Sequence, residues 1–287
     1  MSQSRAVPSV LPMATRERQA TRLMLTGLTV VLLVILLLLP LAVIFTEAFS
    51  RGLGAVGDAL TEPDSLASIQ LTLLVAAVSV PLNTVCGLAA AWCIGRFQFR
   101  GRSLLLTLIE LPLSVSPVIS GLVWVLLFGA NGWFGPTLDR MGVQVIFAVP
   151  GLILATVLVT FPFVARTLIP LMQQLGAAEE EAAITLGAGF WQMFWRVTLP
   201  NIRWGLLYGV LLGNARAMGE FGAVAVVSGH VRGQTMTMPL QVEALFNDYD
   251  WVGAFTIAAL LSLLALVTLA VKAALEWRLG ERSGALL

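Results

Sequence analysis

The chain has 287 residues, of which 58% are hydrophobic and only 11% charged, with a formal net charge of +1. Soluble domains carry roughly 25% charged residues, so this much apolar surface needs lipid and an ordinary soluble enzyme or binding module is excluded. No basic cluster with interleaved aromatics appears, so no nucleic-acid partner is expected.

Residues 1–22 are polar and hold Pro8, Pro12 and four arginines, the composition of a disordered or surface-lying tail. A hydrocarbon core of about 30 Å takes about 20 helical residues to cross. Six stretches are long and apolar enough: 23–45, 66–94, 104–128, 145–169, 204–227 and 252–275. The first exceeds the roughly 7–15 apolar residues of a signal peptide and no small-x-small cleavage site follows it closely, so it reads as a retained spanning helix. In the second, Cys86 and Cys93 lie seven residues apart. On a helix that is about 10 Å, too far for a disulfide, and both read as small buried residues.

With the N-terminus inside, Arg5, Arg16, Arg18, Arg22, Arg96, Arg100, Arg102, Arg166, Arg196, Arg203, Lys272, Arg278 and Arg282 are cytoplasmic. Only Arg51, Arg140 and Arg232 fall outside, and thirteen against three is a decisive positive-inside bias. Both termini are then cytoplasmic. The outer loops carry Glu47, Asp58, Glu62, Asp64, Asp139, Glu243, Asp248 and Asp250. Residues 229–251 form the longest structured-looking outer connection. Its Met236, Met238, Leu240, Leu245 and Phe246 are expected to pack on the membrane surface, either as a plain amphipathic connector or as a dock for a soluble delivery protein.

The third stretch contains Pro112 and Pro117, each lacking a backbone donor. Irregular backbone at membrane depth survives only inside protein or beside a wet cavity. Ser114, Ser116 and Ser120 can satisfy the freed carbonyls, or they can offer hydroxyl donors to an oxyanion in transit.

Between the fourth and fifth stretches lies a polar island. Glu179, Glu180 and Glu181 are consecutive carboxylates, too costly for hydrocarbon. Helix formers run from Ala177 to Leu186, Gly187 and Gly189 stop them, and Phe190 to Leu199 can form a second short helix that Pro200 closes. Pattern alone also fits an ordinary cytoplasmic helical hairpin.

The order Glu181-Ala182-Ala183, three residues, Gly187, nine residues, Val197, one residue, Leu199-Pro200 resembles the EAA loop of permease subunits of bacterial ABC importers. Only Val197, where isoleucine is usual, departs from it. The wording around Arg216-Ala217-Met218-Gly219-Glu220-Phe221-Gly222-Ala223, and from Met238 to Glu243, is similar to the W-type permease subunits of sulfate/thiosulfate importers. Molybdate and tungstate permeases share much of the first signature.

The resemblance implies an all-α integral membrane protein of the bacterial inner membrane, with six transmembrane helices and the type I permease fold. A permease core at residues 66–276, containing a coupling loop at 171–203, would follow a first span and outer loop at 23–65 and precede a tail at 277–287. Glu180, Glu181, Ala182, Ala183, Leu186, Gly187, Leu199 and Pro200 would form the contact with the ATPase. The implied partners are a homologous T-type permease subunit, two ABC ATPase subunits and a periplasmic sulfate-binding protein. ATP and Mg would be bound by the ATPases and no cofactor by this chain.

In the fifth stretch, Gly205, Gly209, Gly213 and Ala217 form a small-residue strip for close helix approach. Arg216 lies thirteen residues beyond Arg203, about 20 Å along a helix and near mid-bilayer. Glu220, four residues on, shares its face and pairs with it. The pair reads as a neutral structural lock or as a device shaping the field along an anion path. His230, the only histidine, has no metal or triad companion, and the chain shows no catalytic or metal set. Lys272, the only lysine, follows Val271, so there is no phosphate-binding loop and ATP hydrolysis must belong to another chain. A secondary transporter would repeat the broken-helix pattern, and no second copy of the Pro112 to Pro117 wording is present.

Overall fold

A computed structural model describes residues 19–284. The expected tail at residues 1–18 and residues 285–287 lie outside the described residues. Helices are the only regular secondary structure among the described residues, and four of them are long and apolar enough to cross a membrane. Two further spans arise if each of two bent helix pairs is one crossing, which gives the six expected.

Helix α1 (Gln19–Ala48) has Pro40 in its interior and no buried side chain from Leu23 to Val43. The part through Val43 is a compact unit by itself. The second unit starts at Ile44 with the last turn of α1 and continues with α2 (Gly52–Thr61) and α3 (Pro63–Arg96). The third stretch, expected as one span, is instead α4 (Arg102–Ser114) and α5 (Pro117–Phe128), bent by 107°. Pro117 explains the break. It takes the first turn of α5, and the residue before a proline avoids helical backbone, so Val115 and Ser116 are extended, with ψ of 138° and 134°. Pro112 sits inside α4 without ending it.

After α6 (Gly135–Arg140) comes α7 (Val149–Leu175), the helix on which the second unit is organised. Its N-terminal half packs Leu152, Ala155 and Val159 with Leu71 and Val75 of α3 and with Ala223, Val224 and Val227. Its C-terminal half packs Val164, Ala165, Leu168 and Met172 with Ala91 and Ile94 of α3, Ile109 of α4 and Ile202. Glycine lets α3 approach this closely, since a Cβ on Gly87 would stand 2.8 Å from Val164 Cβ and one on Gly95 2.9 Å from Met172 Cβ. A polar link crosses the same seam, where Asn83 Nδ2 donates to Thr160 Oγ1 at 2.6 Å. Elsewhere on α3, Thr72 Oγ1 accepts the N–H of Met238 at 2.8 Å.

The hairpin helices α8 (Ala178–Thr185) and α9 (Phe190–Met193) are followed by a π-helical turn, Phe194–Thr198, and α10 (Leu199–Met218). Pro200 therefore does not close a helix. It occupies the first turn of α10, and in the π turn before it the Leu199 N–H bonds back to Phe194, so the run stays helical through the proline. Of the small-residue strip, Gly209 meets α7 at Val164 Cα, 3.2 Å from where its Cβ would be, whereas Gly213 has nothing within 4 Å.

A 51° bend separates α10 from α11 (Gly222–Ser228). The two broken spans press together there. A Cβ on Gly121 of α5 would stand 2.7 Å from the Ala223 carbonyl and 2.9 Å from Val226 Cβ. Gly121→Ala is expected to cost about 1–3 kcal/mol by overpacking, read by thermal unfolding in detergent. An unchanged midpoint would mean that α5 and α11 are free to separate.

The connection at residues 229–251, expected outside, corrects the amphipathic reading. Met236, Met238, Leu240 and Leu245 are buried within the protein, and of the expected surface set only Phe246 is exposed. Helix α12 (Met238–Asn247) packs on α3 and on α13 (Trp251–Gly284), because hydrophobic periodicity does not distinguish a lipid-facing stripe from a protein-facing one. Arg232 and Asp248 pair across this exposed connection. The Asp248 hydrogen bond and charge hold the guanidinium above its ordinary pKa, so it stays protonated and the surface pair contributes little to stability. Cys86 is exposed rather than buried, Cys93 is half-buried, and both are free. Helix α13 runs past the expected end of the last span to Gly284.

Candidate functional site

At the end of α7, Gly176 at φ +65° turns the chain into α8, whose first turn carries Glu179, Glu180 and Glu181, where negative charge suits the helix N-terminus. The three differ in where they point. Glu181 is exposed, as are Ala182 and Leu186, while Ala183 is half-buried. Glu179 accepts a hydrogen bond from Asn201 Nδ2. Glu180 turns inward, to 8% exposure.

There Glu180 Oε1 accepts from Arg96 Nη2 at 2.9 Å and from Thr198 Oγ1 at 2.7 Å. Arg96 spends its other terminal nitrogen on the Met172 carbonyl, 2.7 Å away. One buried carboxylate thus ties the end of α3, the last turns of α7, α8 and the π turn that leads into α10. The side chains of Arg96 and Glu180 are 9% and 10% exposed. A pair this deep is worth its desolvation only with the extra hydrogen bonds that Thr198 and Met172 supply. Arg96, Thr198 and Asn201 were not legible as site residues. Arg96 reads as a flanking charge, and no local signal links it to a carboxylate 84 residues away.

The second half of the hairpin is held by aromatic packing. Trp92 of α3 lies 5.7 Å from Phe190 and 5.1 Å from Phe194, centroid to centroid, and Met193 is buried beneath the turn. Gly187 makes the reversal at φ +88°, a conformation that strains any residue with a Cβ. Leu199 is partly buried against the core cluster of the C-terminal half of α7, and Pro200 is exposed. The tip bares an apolar rim, with Leu186 at 89% exposure beside Ile184, Phe190, Trp191 and Trp195. Such a rim marks an interaction surface.

The residues expected along a path gather at the two bends. Ser114 ends α4 and is exposed, Ser116 precedes α5, and buried Ser120 leans back on the Ser116 carbonyl at 3.4 Å. Pro117 at the start of α5 packs against Gly222 at the start of α11, where a Cβ would be 3.1 Å from the proline ring. Two residues before Gly222, Glu220 is 1% exposed and pairs with Arg216 at 2.5 Å, as the i, i+4 spacing predicts. Its other oxygen accepts the Ala223 N–H at 2.9 Å, so the carboxylate also caps α11. The Arg216 side chain keeps 34% of its surface exposed. The pair thus lies inside one broken span. His230 lies exposed in the connection at residues 229–251, at φ 54°.

Residues 83–280 match the family model of the binding-protein-dependent transport system inner membrane component. The chain is 54% identical over 255 residues to the sulfate transport system permease protein CysW of Escherichia coli K12, covering 89% of this chain and 88% of that protein. It is 34% identical over 256 residues to CysT of the same strain, covering 89% and 92%. Among solved structures, it shares the fold of a bacterial ABC transporter that imports the acidic polysaccharide alginate, with a TM-score of 0.72 at 19% identity, covering 91% of this chain and 96% of that one.

Proposed function

We propose, from the premise that this chain belongs to the family of binding-protein-dependent transport system inner membrane components, that it is a membrane-spanning subunit of an ATP-driven importer of sulfate and thiosulfate. It works in the bacterial inner membrane beside a homologous T-type permease subunit. Two ABC ATPase subunits bind ATP and Mg on the cytoplasmic side, and a periplasmic sulfate-binding protein delivers the anion. This chain is no ATPase itself, since its only lysine follows Val271 and cannot close a phosphate-binding loop.

The observation that carries the reading is the Glu180 clamp beneath the apolar rim. A surface meant only to float in water has no use for exposed Leu186, Trp191 and Trp195, and a surface meant to receive a push must be tied to what it moves. Glu180, Arg96 and Thr198 make that tie. Closure of the ATPase dimer would displace the hairpin, with Glu181, Ala182 and Ala183 against the ATPase and Gly187 shaping the tip. The helical run from Phe190 to Met218 would carry the movement up to the bend at Glu220. At that bend and beside it, Ser114 and Ser116 offer hydroxyl donors, while buried Ser120 already donates to the Ser116 carbonyl, and the exposed part of Arg216 faces the anion while Glu220 tempers its pull.

The test is Leu186→Asp in the complete complex. Docking an aspartate in an apolar groove is expected to reduce ATPase subunit co-purification roughly tenfold or more, and ATP-dependent uptake of labelled sulfate should fall with it. Wild-type uptake by this variant would remove the hairpin from the coupling role.

A further inference from the structure

The face of α4 turned away from the core carries a charge that no ion pair among the described residues answers. Ser103, Thr107 and Glu110 recur at spacings of four and three, a single stripe along the helix, and all three are exposed. Glu110 lies eight residues into α4, about 12 Å along its axis. On α7, Arg166, expected among the cytoplasmic charges, lies instead within the spanning helix and is also exposed, nine residues or about 14 Å before the helix ends at Leu175. Both distances start from the same end of the bundle, because Arg96, six residues before α4 begins, donates to the Met172 carbonyl three residues before α7 ends, so the two charges stand at about one level. Neither charged side chain has an ion-pair partner among the described residues.

Lipid is a poor environment for either. A carboxylate or guanidinium in the hydrocarbon costs on the order of 3 kcal/mol even on insertion scales, and the short glutamate side chain cannot reach the headgroups as arginine can. A path for a divalent oxyanion is no better for Glu110, which would repel its cargo. What remains is protein, and protein of complementary charge.

Opposite charges at one level on one subunit suit a partner related by a two-fold axis along the membrane normal, where position i meets j and j meets i. We propose that Glu110 and Arg166 are this chain's halves of two reciprocal ion pairs with the second permease subunit. That subunit presents a basic side chain to Glu110 and an acidic one to Arg166. The inference rests on the reading that this chain works beside a homologous permease.

The test uses the complete complex, purified through a tag on this chain, with ATP-dependent sulfate uptake by the wild type as the independent check of the permease reading. Glu110→Arg and Arg166→Glu should each lower recovery of the second permease roughly tenfold or more, the effect of a buried charge left without its partner. The double swap Glu110→Arg/Arg166→Glu should not recover it, because both contacts with the unchanged partner are now repulsive. Recovery in the double swap would mean that the two residues pair within one chain, and wild-type recovery in the single variants would mean that they face no partner. Either outcome overturns the proposal. A photo-crosslinking benzoylphenylalanine in place of Glu110 reports on the same face where a swapped chain fails to fold. An adduct with the second permease supports the pairs, and adducts with lipid alone overturn them.

Discussion

Glu180→Ala is expected to destabilise the purified chain by about 3–5 kcal/mol and to abolish ATP-driven uptake. The size follows from what the substitution leaves behind. Arg96 stays 9% exposed with its charge unanswered, and breaking one side of a buried pair costs about 3–5 kcal/mol. Thr198 loses its acceptor as well. Glu180→Gln keeps an oxygen for both donors but not the charge, so its loss should be smaller, about 1.5–3 kcal/mol. The double variant Arg96→Met/Glu180→Leu removes both charges and should regain most of the stability, since well-packed apolar pairs replace buried ion pairs at little cost. Glu181→Ala, on the exposed side, should change stability by no more than about 0.5 kcal/mol. Thermal unfolding in detergent and labelled-sulfate uptake give the readouts. A Glu180→Ala chain as stable as Glu181→Ala would show that the clamp does not hold the hairpin.

The contrast between adjacent carboxylates shows where sequence reasoning runs out. Composition and charge asymmetry lead to six apolar stretches, and the glycine at 187 marks the reversal, because these are local properties: hydropathy, charge, and a φ that only glycine adopts cheaply. Which glutamate turns inward is decided by Arg96, 84 residues upstream, and no local rule reaches that far. Pro200 misleads for a related reason. Its missing N–H normally ends a helix, but the π turn from Phe194 to Thr198 shifts the hydrogen-bond register ahead of it. Met238 and Leu240 mislead because an apolar stripe looks the same whether lipid or α3 and α13 cover it. Arg216 and Glu220 were legible because their i, i+4 spacing is local, yet the capping of Ala223 by the same carboxylate was not, since it needs the bend between α10 and α11.

At that bend the second large effect is expected. Arg216→Ala strips the cation from a carboxylate that is 1% exposed and leaves it the hydrogen bond from the Ala223 N–H. The penalty should approach about 3 kcal/mol, the low end for a broken buried pair because the arginine itself is partly solvated. Adding Glu220→Gln removes the stranded charge while an amide oxygen can still cap Ala223, so Arg216→Ala/Glu220→Gln should regain most of the lost stability. Uptake should not return with it. If the exposed part of the guanidinium faces the anion, the restored protein still lacks that attraction, and the sulfate concentration for half-maximal uptake should rise roughly tenfold, the equivalent of one charge-assisted hydrogen bond of about 1.5 kcal/mol. Arg216→Lys keeps a charge without the planar fork and should fall between the two. Thermal midpoints and uptake saturation curves on the same preparations separate the roles: full recovery of both in the double variant would confine Arg216 to holding the bend, and recovery of neither would show that the pair does not set the bend at all.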